Sequence, residues 1–197
     1  IGLDGDSDRV VFFTSTGAMI GPDIMTAILG GIVAKPGEKV GYEVRSSQAV
    51  SEYLKRRKLK PRLYKSGHAY IKEAMRQEGT VFAGEKSGHY FYQKLHNTDS
   101  PLLTILHVLH LLEKKKKTIA ELASPLTQEY IDSDEMNYTI HNADRAIAKV
   151  KQHFAPHATK ILEIDGVSVY TDDYFFNVRK SNTEPLVRVN IEANTKA

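Results

Sequence analysis

Three carboxylates stand at alternate positions of one short segment near the start of the chain. Asp4, Asp6 and Asp8 lie within Asp-Gly-Asp-Ser-Asp-Arg, directly after residues that resemble a strand end. Converging carboxylate oxygens suit a hard divalent cation such as Mg²⁺ or Ca²⁺, and they would repel one another without it. Arg9 follows the third aspartate, and its guanidinium matches the oxygens of a phosphate. The segment therefore predicts a cation site that also handles phosphate.

An EF-hand is the obvious competitor for such a segment, and the sequence disagrees with it at two positions. Arg9 stands where an EF-hand loop needs a glycine, and Ser15 stands where it needs a bidentate glutamate. Two other interpretations stay open at this point. The aspartates could only cap and turn the backbone, or the chain could be a structural protein that binds Ca²⁺.

Two further polar loops carry side chains that suit a phosphorylated sugar. In residues 84–89, Glu85, Ser87 and His89 could converge on polyol hydroxyls, although a plain turn has the same composition. In residues 179–185, cations, hydroxyls and free backbone N–H groups would form a phosphate cradle, with an ordinary polar loop as the alternative. The side chains of that cradle are Arg179, Ser181, Asn182 and Thr183.

A histidine lies just before another predicted helix. Residues 65–68 precede this helix, and a helix N-terminus favours anions. His68 could therefore relay protons or contact a phosphate, although a lone histidine is more often a surface or capping residue. The sequence contains no GxxxxGK[ST] motif, so none of these loops is a nucleotide-type phosphate loop.

The elements that must position these loops follow two patterns along the chain. Up to about residue 125, short β-rich runs alternate with helical segments, as in βαβ units on a parallel or mixed sheet. Beyond it, residues 129–141 are predicted as one strand and 143–154 as an amphipathic helix, followed by four strands with a hairpin signal at Asp165-Gly166. The sequence therefore predicts a mixed-sheet α/β domain followed by a small α+β domain.

The clearest helix opens at Ser100-Pro101 and is followed by four consecutive lysines at residues 114–117. A solvated helix end explains these lysines better than a nucleic-acid patch does, because no aromatic residues or binding motif accompany them. No nucleic-acid partner is therefore expected. The helix is predicted to carry one apolar stripe, made of Leu102, Ile105, Leu106, Leu109 and Leu112.

Length and composition fit one large or two small globular domains. The 197 residues are 41% hydrophobic and 26% charged, and no apolar run approaches the length of a membrane span. The absence of cysteine excludes disulfide frameworks, thiolate zinc sites and cysteine nucleophiles. The chain begins without methionine and stops just after a predicted strand, so we expect a fragment of a longer protein.

The four loops occur in this order in the α-D-phosphohexomutase family, which the chain resembles over essentially its whole length. Residues 4–9 resemble the family's DGDxDR metal loop, residues 84–89 its GExSGH sugar loop, and residues 179–185 its phosphate loop. The Ser-Asn-Thr at residues 181–183 looks like the phosphomannomutase/phosphoglucomutase branch. Together these motifs are highly specific, although each except the first is weak alone.

The resemblance implies a position within a four-domain protein. Residues 1–19 look like the end of domain 2 with the metal loop, and residues 20–125 look like domain 3 with the sugar loop. Residues 126–197 look like domain 4, which resembles the TATA-binding-protein fold. By this resemblance, neither the family's phosphoserine domain nor the final helix of domain 4 has a counterpart here.

The activity that the resemblance implies is a cytoplasmic, Mg²⁺-dependent isomerase. It would interconvert the 1- and 6-phosphates of glucose or mannose through an enzyme phosphoserine and a hexose 1,6-bisphosphate. The fragment alone would be inactive, because the nucleophile belongs to the missing N-terminal domains of the same chain. The rival hypothesis is a non-catalytic module that binds sugar phosphates, with the metal loop as a relic.

The resemblance also implies a role for each loop residue. Arg9 would stabilise the charge on the transferring phosphoryl group, while Arg45 stands where the family carries a lysine. Arginine binds phosphate but is a poor proton shuttle, so His68 is the better candidate for acid–base work. The implied metal ligands are Asp4, Asp6 and Asp8, the sugar contacts Glu85, Ser87 and His89, and the phosphate contacts Arg179, Ser181, Asn182 and Thr183.

Overall fold

The computed structural model of the chain describes residues 1–133, 135–181 and 184–194. These residues form two compact units, of which the first runs from Ile1 to Gln128 and the second begins at Glu129. Among the described residues, no helix combines the length and the apolar character that crossing a membrane requires.

The first unit alternates strands with helices. Its strands are β1 (Gly2–Leu3), β2 (Val10–Phe13), β3 (Met19–Ile20), β4 (Lys39–Glu43), β5 (Lys60–Tyr64), β6 (Phe82–Gly84), β7 (Tyr90–Tyr92) and β8 (Thr98–Asp99). Its helices are α1 (Pro22–Val33), α2 (Gln48–Arg56), α3 (His68–Glu78), α4 (Pro101–Lys115) and α5 (Ile119–Thr127). The predicted α/β class is confirmed.

The larger sheet of the first unit brings three loops to one edge. Its strand order is β5-β4-β6-β7-β8, and β4 is parallel to both β5 and β6. Strands β7 and β8 are antiparallel, so the sheet is mixed, as predicted. Because parallel strands end at the same edge, the loops after β4, β5 and β6 lie next to one another. A separate antiparallel sheet contains β1, β2 and β3.

A buried aspartate links the starts of two helices in this unit. Asp23 lies in the first turn of α1, where one carboxylate oxygen accepts a hydrogen bond from the Ile24 N–H at 2.9 Å. Its other oxygen accepts from the Ser47 N–H at 2.8 Å, and the Ser47 side chain caps α2. The residues that follow β4 are therefore anchored to the start of α1.

The second unit is one antiparallel sheet with a helix on one face. Its elements are β9 (Tyr130–Asp132), β10 (Met136–Thr139), α6 (Ala143–Phe154), β11 (Lys160–Leu162), β12 (Val167–Tyr170), β13 (Tyr174–Lys180) and β14 (Leu186–Asn194). The strand order is β10-β14-β13-β12-β11, and β9 pairs with the far end of β14. Ile147 of α6 packs with Val169 and Phe176 in the core. This arrangement is the predicted small α+β domain.

Two local expectations were wrong, and one helix was not predicted. Residues 129–141 form two strands rather than one, because Ser133 bonds through both its N–H and its side chain to the backbone of Ile191 and separates β9 from β10. Helix α5 was missed, although its capping box of Thr118 and Glu121 is visible in the sequence.

The other wrong expectation is the apolar stripe of α4. Leu102, Leu106 and Leu109 are exposed, whereas the buried face carries Thr104 and Val108. Thr104 can be buried because its hydroxyl bonds to the Ser100 carbonyl and to the Tyr92 hydroxyl.

Gly30 and Gly31, neighbours in α1, give a matched test of core packing. A Cβ at Gly30 would lie 2.8 Å from Val40 Cγ1 in the core, whereas one at Gly31 would lie 2.9 Å from Cδ of the exposed Arg57. Alanine improves helix propensity by about 1 kcal/mol at either position, but overpacking a core costs about 1–3 kcal/mol. In urea denaturation, we expect Gly30→Ala to be less stable than Gly31→Ala by about 1–3 kcal/mol. Equal stabilities would contradict this packing.

Candidate functional site

The loop between β6 and β7 is a tight turn that presents two titratable side chains. The Glu85 N–H donates to the His89 carbonyl at 2.9 Å, and the Gly88 N–H donates to the Glu85 carbonyl at 3.0 Å. Gly88 has a φ of 96°, a conformation that favours glycine. Glu85 and His89 are both buried. The Ser87 hydroxyl is also buried, beside the Glu85 carboxylate.

The fully buried carboxylate of Glu43, at the end of β4, contacts this loop and holds it in place. It forms a bidentate ion pair with Arg45, at 2.6 Å from Nη2 and 3.0 Å from Nε. The same carboxylate accepts hydrogen bonds from the Lys86 N–H at 2.8 Å and from the Ser66 hydroxyl. Glu43 thus ties the loops after β4, β5 and β6 together.

Glu85 faces the same group of residues from the loop of residues 84–89, which is named the sugar loop after the family motif that it resembles. Its Oε1 accepts a hydrogen bond from the Gly67 N–H at 3.1 Å, directly before α3, and lies 4.0 Å from Arg45 Nη2. Burial raises the pKa of Glu85 above its usual range and the Glu43 charge raises it further, against the lowering effects of His89 and Arg45. The predicted anion site at the start of α3 is therefore already used by a carboxylate of the protein itself.

His89 stands in a second polar network. Its Nδ1 lies 2.9 Å from Asp99 Oδ2, and Lys72 Nζ lies 2.8 Å from the other oxygen of Asp99. Burial would raise the pKa of Asp99, but the hydrogen bonds from Lys72 and His89 outweigh it and hold the pKa below its usual value. The exposed His68 ring meets the His89 ring edge-on, with centroids 6.1 Å apart.

The three aspartates of the first loop converge as predicted. A ligand oxygen from each of Asp4, Asp6 and Asp8 lies within 4.8 Å of the others. The Ser7 N–H donates to the Asp4 carbonyl, and Ser7 has a φ of 58°, so the chain turns sharply between the carboxylates. Arg9 closes the loop, with its Nε 3.2 Å from Asp4 Oδ2 and its N–H bonded to Asp4 Oδ1.

The loop of residues 4–9, named the cation loop after its carboxylates, adjoins the sugar loop. The Val10 N–H donates to the Gly88 carbonyl at 3.1 Å, and single ligand atoms of Asp8, His89 and Asp99 lie within 4.8 Å of one another. The predicted site residues that these contacts bring near one another in the first unit are Asp4, Asp6, Asp8, Arg9, Arg45, His68, Glu85, Ser87 and His89.

The donor set of the cation loop fits Mg²⁺. All three groups are carboxylates, which are hard ligands, and Asp8 Oδ1 is a buried oxygen without a hydrogen-bond partner among the described residues. Desolvation would raise the pKa of Asp4, but the hydrogen bond from the Arg9 N–H and the Arg9 charge lower it below its usual value. Asp4 is therefore ionised at neutral pH and available as a ligand.

The predicted phosphate loop lies in the second unit, between β13 and β14. Arg179 and Arg188 stand opposite each other on these strands, and both pair with Glu135, at 3.1 and 3.0 Å. Arg188 also pairs with Glu184 at 3.0 Å. The Ser181 hydroxyl accepts a hydrogen bond from the Glu184 N–H. Asn182 and Thr183 lie outside the described residues.

Sequence reasoning missed several members of these networks. Glu43, Lys72 and Asp99 lie outside the motifs and contact them only in the folded unit. Arg188 had a usable signal, because the hairpin register places it directly across from Arg179. Arg45 was expected to contact phosphate, and the structure shows it engaged with Glu43.

The role of Glu43 can be tested by removing its charge. We expect Glu43→Gln to lower the free energy of unfolding by about 3 kcal/mol, because it leaves the half-buried Arg45 guanidinium without its bidentate partner. The exposed Glu73→Gln in α3 is the matched control and should change stability by less than about 0.5 kcal/mol. Urea denaturation followed by circular dichroism measures both. Equal effects of the two variants would contradict the hub role.

The raised pKa of Glu85 predicts a pH dependence. The native chain keeps a proton on Glu85 to higher pH than the unfolded chain does, so this contribution to stability is full below 4.5 and is lost as pH rises through the raised value. Glutamine does not titrate. The stability of Glu85→Gln relative to the unsubstituted chain should therefore increase as the pH rises above 4.5. A relative stability of Glu85→Gln that falls with pH would contradict the shift.

Known proteins resemble the chain over both units. A family model described as phosphoglucomutase/phosphomannomutase, alpha/beta/alpha domain III, matches residues 21–130, and the model of the C-terminal domain matches residues 133–197. A phosphomannomutase of Methanocaldococcus jannaschii is 34% identical over 98% of the chain and 42% of its own length. One from Escherichia coli K12 is also 34% identical, over 98% of the chain and 43% of its own length.

A solved structure agrees with these matches. A phosphoglucomutase/phosphomannomutase family protein from Burkholderia thailandensis superposes with a TM-score of 0.85 at 27% identity, over 98% of the chain and 42% of its own. The chain thus spans less than half the length of these relatives and corresponds to their third and C-terminal domains. It belongs to the phosphoglucomutase/phosphomannomutase family.

Proposed function

We propose that the chain is part of a cytoplasmic phosphohexomutase that interconverts hexose 1-phosphate and hexose 6-phosphate through an enzyme phosphoserine and a 1,6-bisphosphate. The substrates would be phosphates of glucose or mannose. One observation carries the proposal: the cation loop and the sugar loop adjoin, joined by the hydrogen bond from Val10 to Gly88 and by the proximity of Asp8 to His89. Phosphoryl transfer to a sugar needs both functions at one place.

The cation loop would provide the electrostatic part of the reaction. Asp4, Asp6 and Asp8 would hold Mg²⁺, which when bound offsets negative charge on a transferring phosphoryl group. Arg9 is half exposed beside these aspartates, and its fork can pair with phosphate oxygens. Its present partners are the same carboxylates that would hold the cation, so the guanidinium would be available to phosphate when these carboxylates act as ligands.

The sugar loop would orient the hexose. The Glu85 carboxylate and the buried Ser87 hydroxyl offer hydrogen-bonding atoms to sugar hydroxyls. His68 is exposed next to the His89 ring and remains our candidate for proton transfer. Arg45 would act mainly through Glu43, with phosphate contact as its further proposed role.

The hairpin of the second unit would bind the phosphate that does not react. Arg179 and Arg188 each have an Nε without a hydrogen-bond partner among the described residues. Their paired carboxylate, Glu135, would have to yield part of this contact to a phosphate, whose double charge makes it the stronger partner. Ser181, Asn182 and Thr183 complete the proposed cradle.

Calorimetric titration of the chain with glucose 1,6-bisphosphate in Mg²⁺ tests this proposal. We expect Glu85→Ala and Arg179→Lys each to weaken binding about tenfold, because each loses hydrogen bonds to a charged or hydroxylated ligand. Lys180→Met is the matched control for the hairpin, since Lys180 pairs with Asp144 at 2.7 Å and is exposed.

The same samples should form no glucose 6-phosphate from glucose 1-phosphate, because the proposed nucleophile is a serine of another domain. An affinity for glucose 1,6-bisphosphate that is unchanged in both Glu85→Ala and Arg179→Lys would contradict the proposed sites. Turnover by the 197-residue chain would contradict the proposed mechanism.

A further inference from the structure

His89 is held by a carboxylate that neither the sequence motifs nor the proposed function assigns. The ring is buried, and its Nδ1 lies 2.9 Å from Asp99 Oδ2. One face of the ring stacks on Phe91, with centroids 5.9 Å apart and planes inclined by 17°. Hydrogen bond and stacking together fix both the tilt of the ring and the nitrogen that faces Asp99.

Asp99 is itself fixed, so it can serve as a reference for the ring. Its other oxygen, Oδ1, pairs with Lys72 Nζ at 2.8 Å, and β8 places Asp99 directly opposite Phe91 of β7. Lys72 also lies over the Phe91 ring, 5.4 Å from the centroid. The two oxygens of the carboxylate thus have separate partners, one on α3 and one in the sugar loop.

The hydrogen bond between Asp99 and His89 determines which tautomer the imidazole adopts. An ionised carboxylate only accepts hydrogen bonds, so the ring must carry its proton on Nδ1 to satisfy this contact. In the neutral ring, Nε2 is then the nitrogen with a free lone pair. The sugar loop consequently presents an acceptor, not a donor, at Nε2.

We propose that Asp99 is a positioning residue: it fixes His89 as the Nδ1–H tautomer and aims Nε2 to accept a hydrogen bond from a hydroxyl of the bound hexose phosphate, while Lys72 fixes Asp99. The role toward the sugar hydroxyl rests on the proposed function. The control of the tautomer does not, since it follows from contacts within the first unit.

Nitrogen-15 NMR of the histidine ring in the 197-residue chain reads the tautomer directly. The chain has eight histidines, so the His89 signal is assigned as the one lost in His89→Gln. Spectra are recorded in EDTA, so that no cation competes for the ring nitrogens near Asp8. We expect Nδ1 protonated and Nε2 unprotonated at a pH at which the ring is neutral.

Asp99→Asn should change this signal without changing the shape of the side chain. The amide NH₂ can donate to Nδ1, so we expect the population to move toward the Nε2–H tautomer. Lys72→Met should move it less in the same direction. Asp173→Asn, an exposed position in the second unit, loses the same charge and should leave the signal unchanged.

Binding of glucose 1,6-bisphosphate adds a functional measurement. We expect Asp99→Asn to weaken it about three- to tenfold, the cost of one mismatched hydrogen bond. A chain that binds no sugar phosphate would contradict the proposed function, while the tautomer would still decide this inference. An Nε2–H ring in the unsubstituted chain, or an Asp99→Asn chain with an unchanged tautomer, would overturn the role of Asp99.

Discussion

The site in the first unit depends on one buried negative charge, the carboxylate of Glu43. Removing a carboxylate from water is costly, and the cost is offset only when strong donors surround it. Glu43 obtains them from Arg45, Ser66 and Lys86, which follow three neighbouring parallel strands. The three loops can satisfy this charge only together, so the requirement that stabilises Glu43 also fixes the positions of Glu85 and Gly67.

From this base the site extends toward the cation loop. Gly88 is the point of contact, because its carbonyl accepts a hydrogen bond from the Val10 N–H. The positive φ of Gly88 favours glycine, and a Cβ at this position would lie 3.1 Å from the Val10 carbonyl oxygen. The carboxylates of the cation loop therefore stand beside His89. The mutual repulsion of these carboxylates would destabilise the loop by itself, and a bound cation would offset it.

The sequence could predict what is local and not what is brought together by the sheet. The Asp4 to Asp8 spacing, the mixed sheet and the α+β unit follow from patterns within a few residues, and the structure agrees with them. Glu43 and Asp99 belong to no motif, and part of their role comes from Lys86 and Lys72, which are tens of residues away. The prediction of the α4 stripe was wrong for a related reason. Which face of a helix is buried depends on what packs against it, and the buried face of α4 includes Thr104, whose hydroxyl makes two hydrogen bonds.

The central claim is that the cation loop and the sugar loop form one binding site for a hexose phosphate. An amide NMR titration of the chain with glucose 1,6-bisphosphate and Mg²⁺ tests it most directly. The account predicts that the shifts of the first unit concentrate in residues 4–10 and 84–89, and that the two groups change with the same dissociation constant. Shifts centred instead on the lysines at residues 114–117, with both loops unchanged, would contradict it.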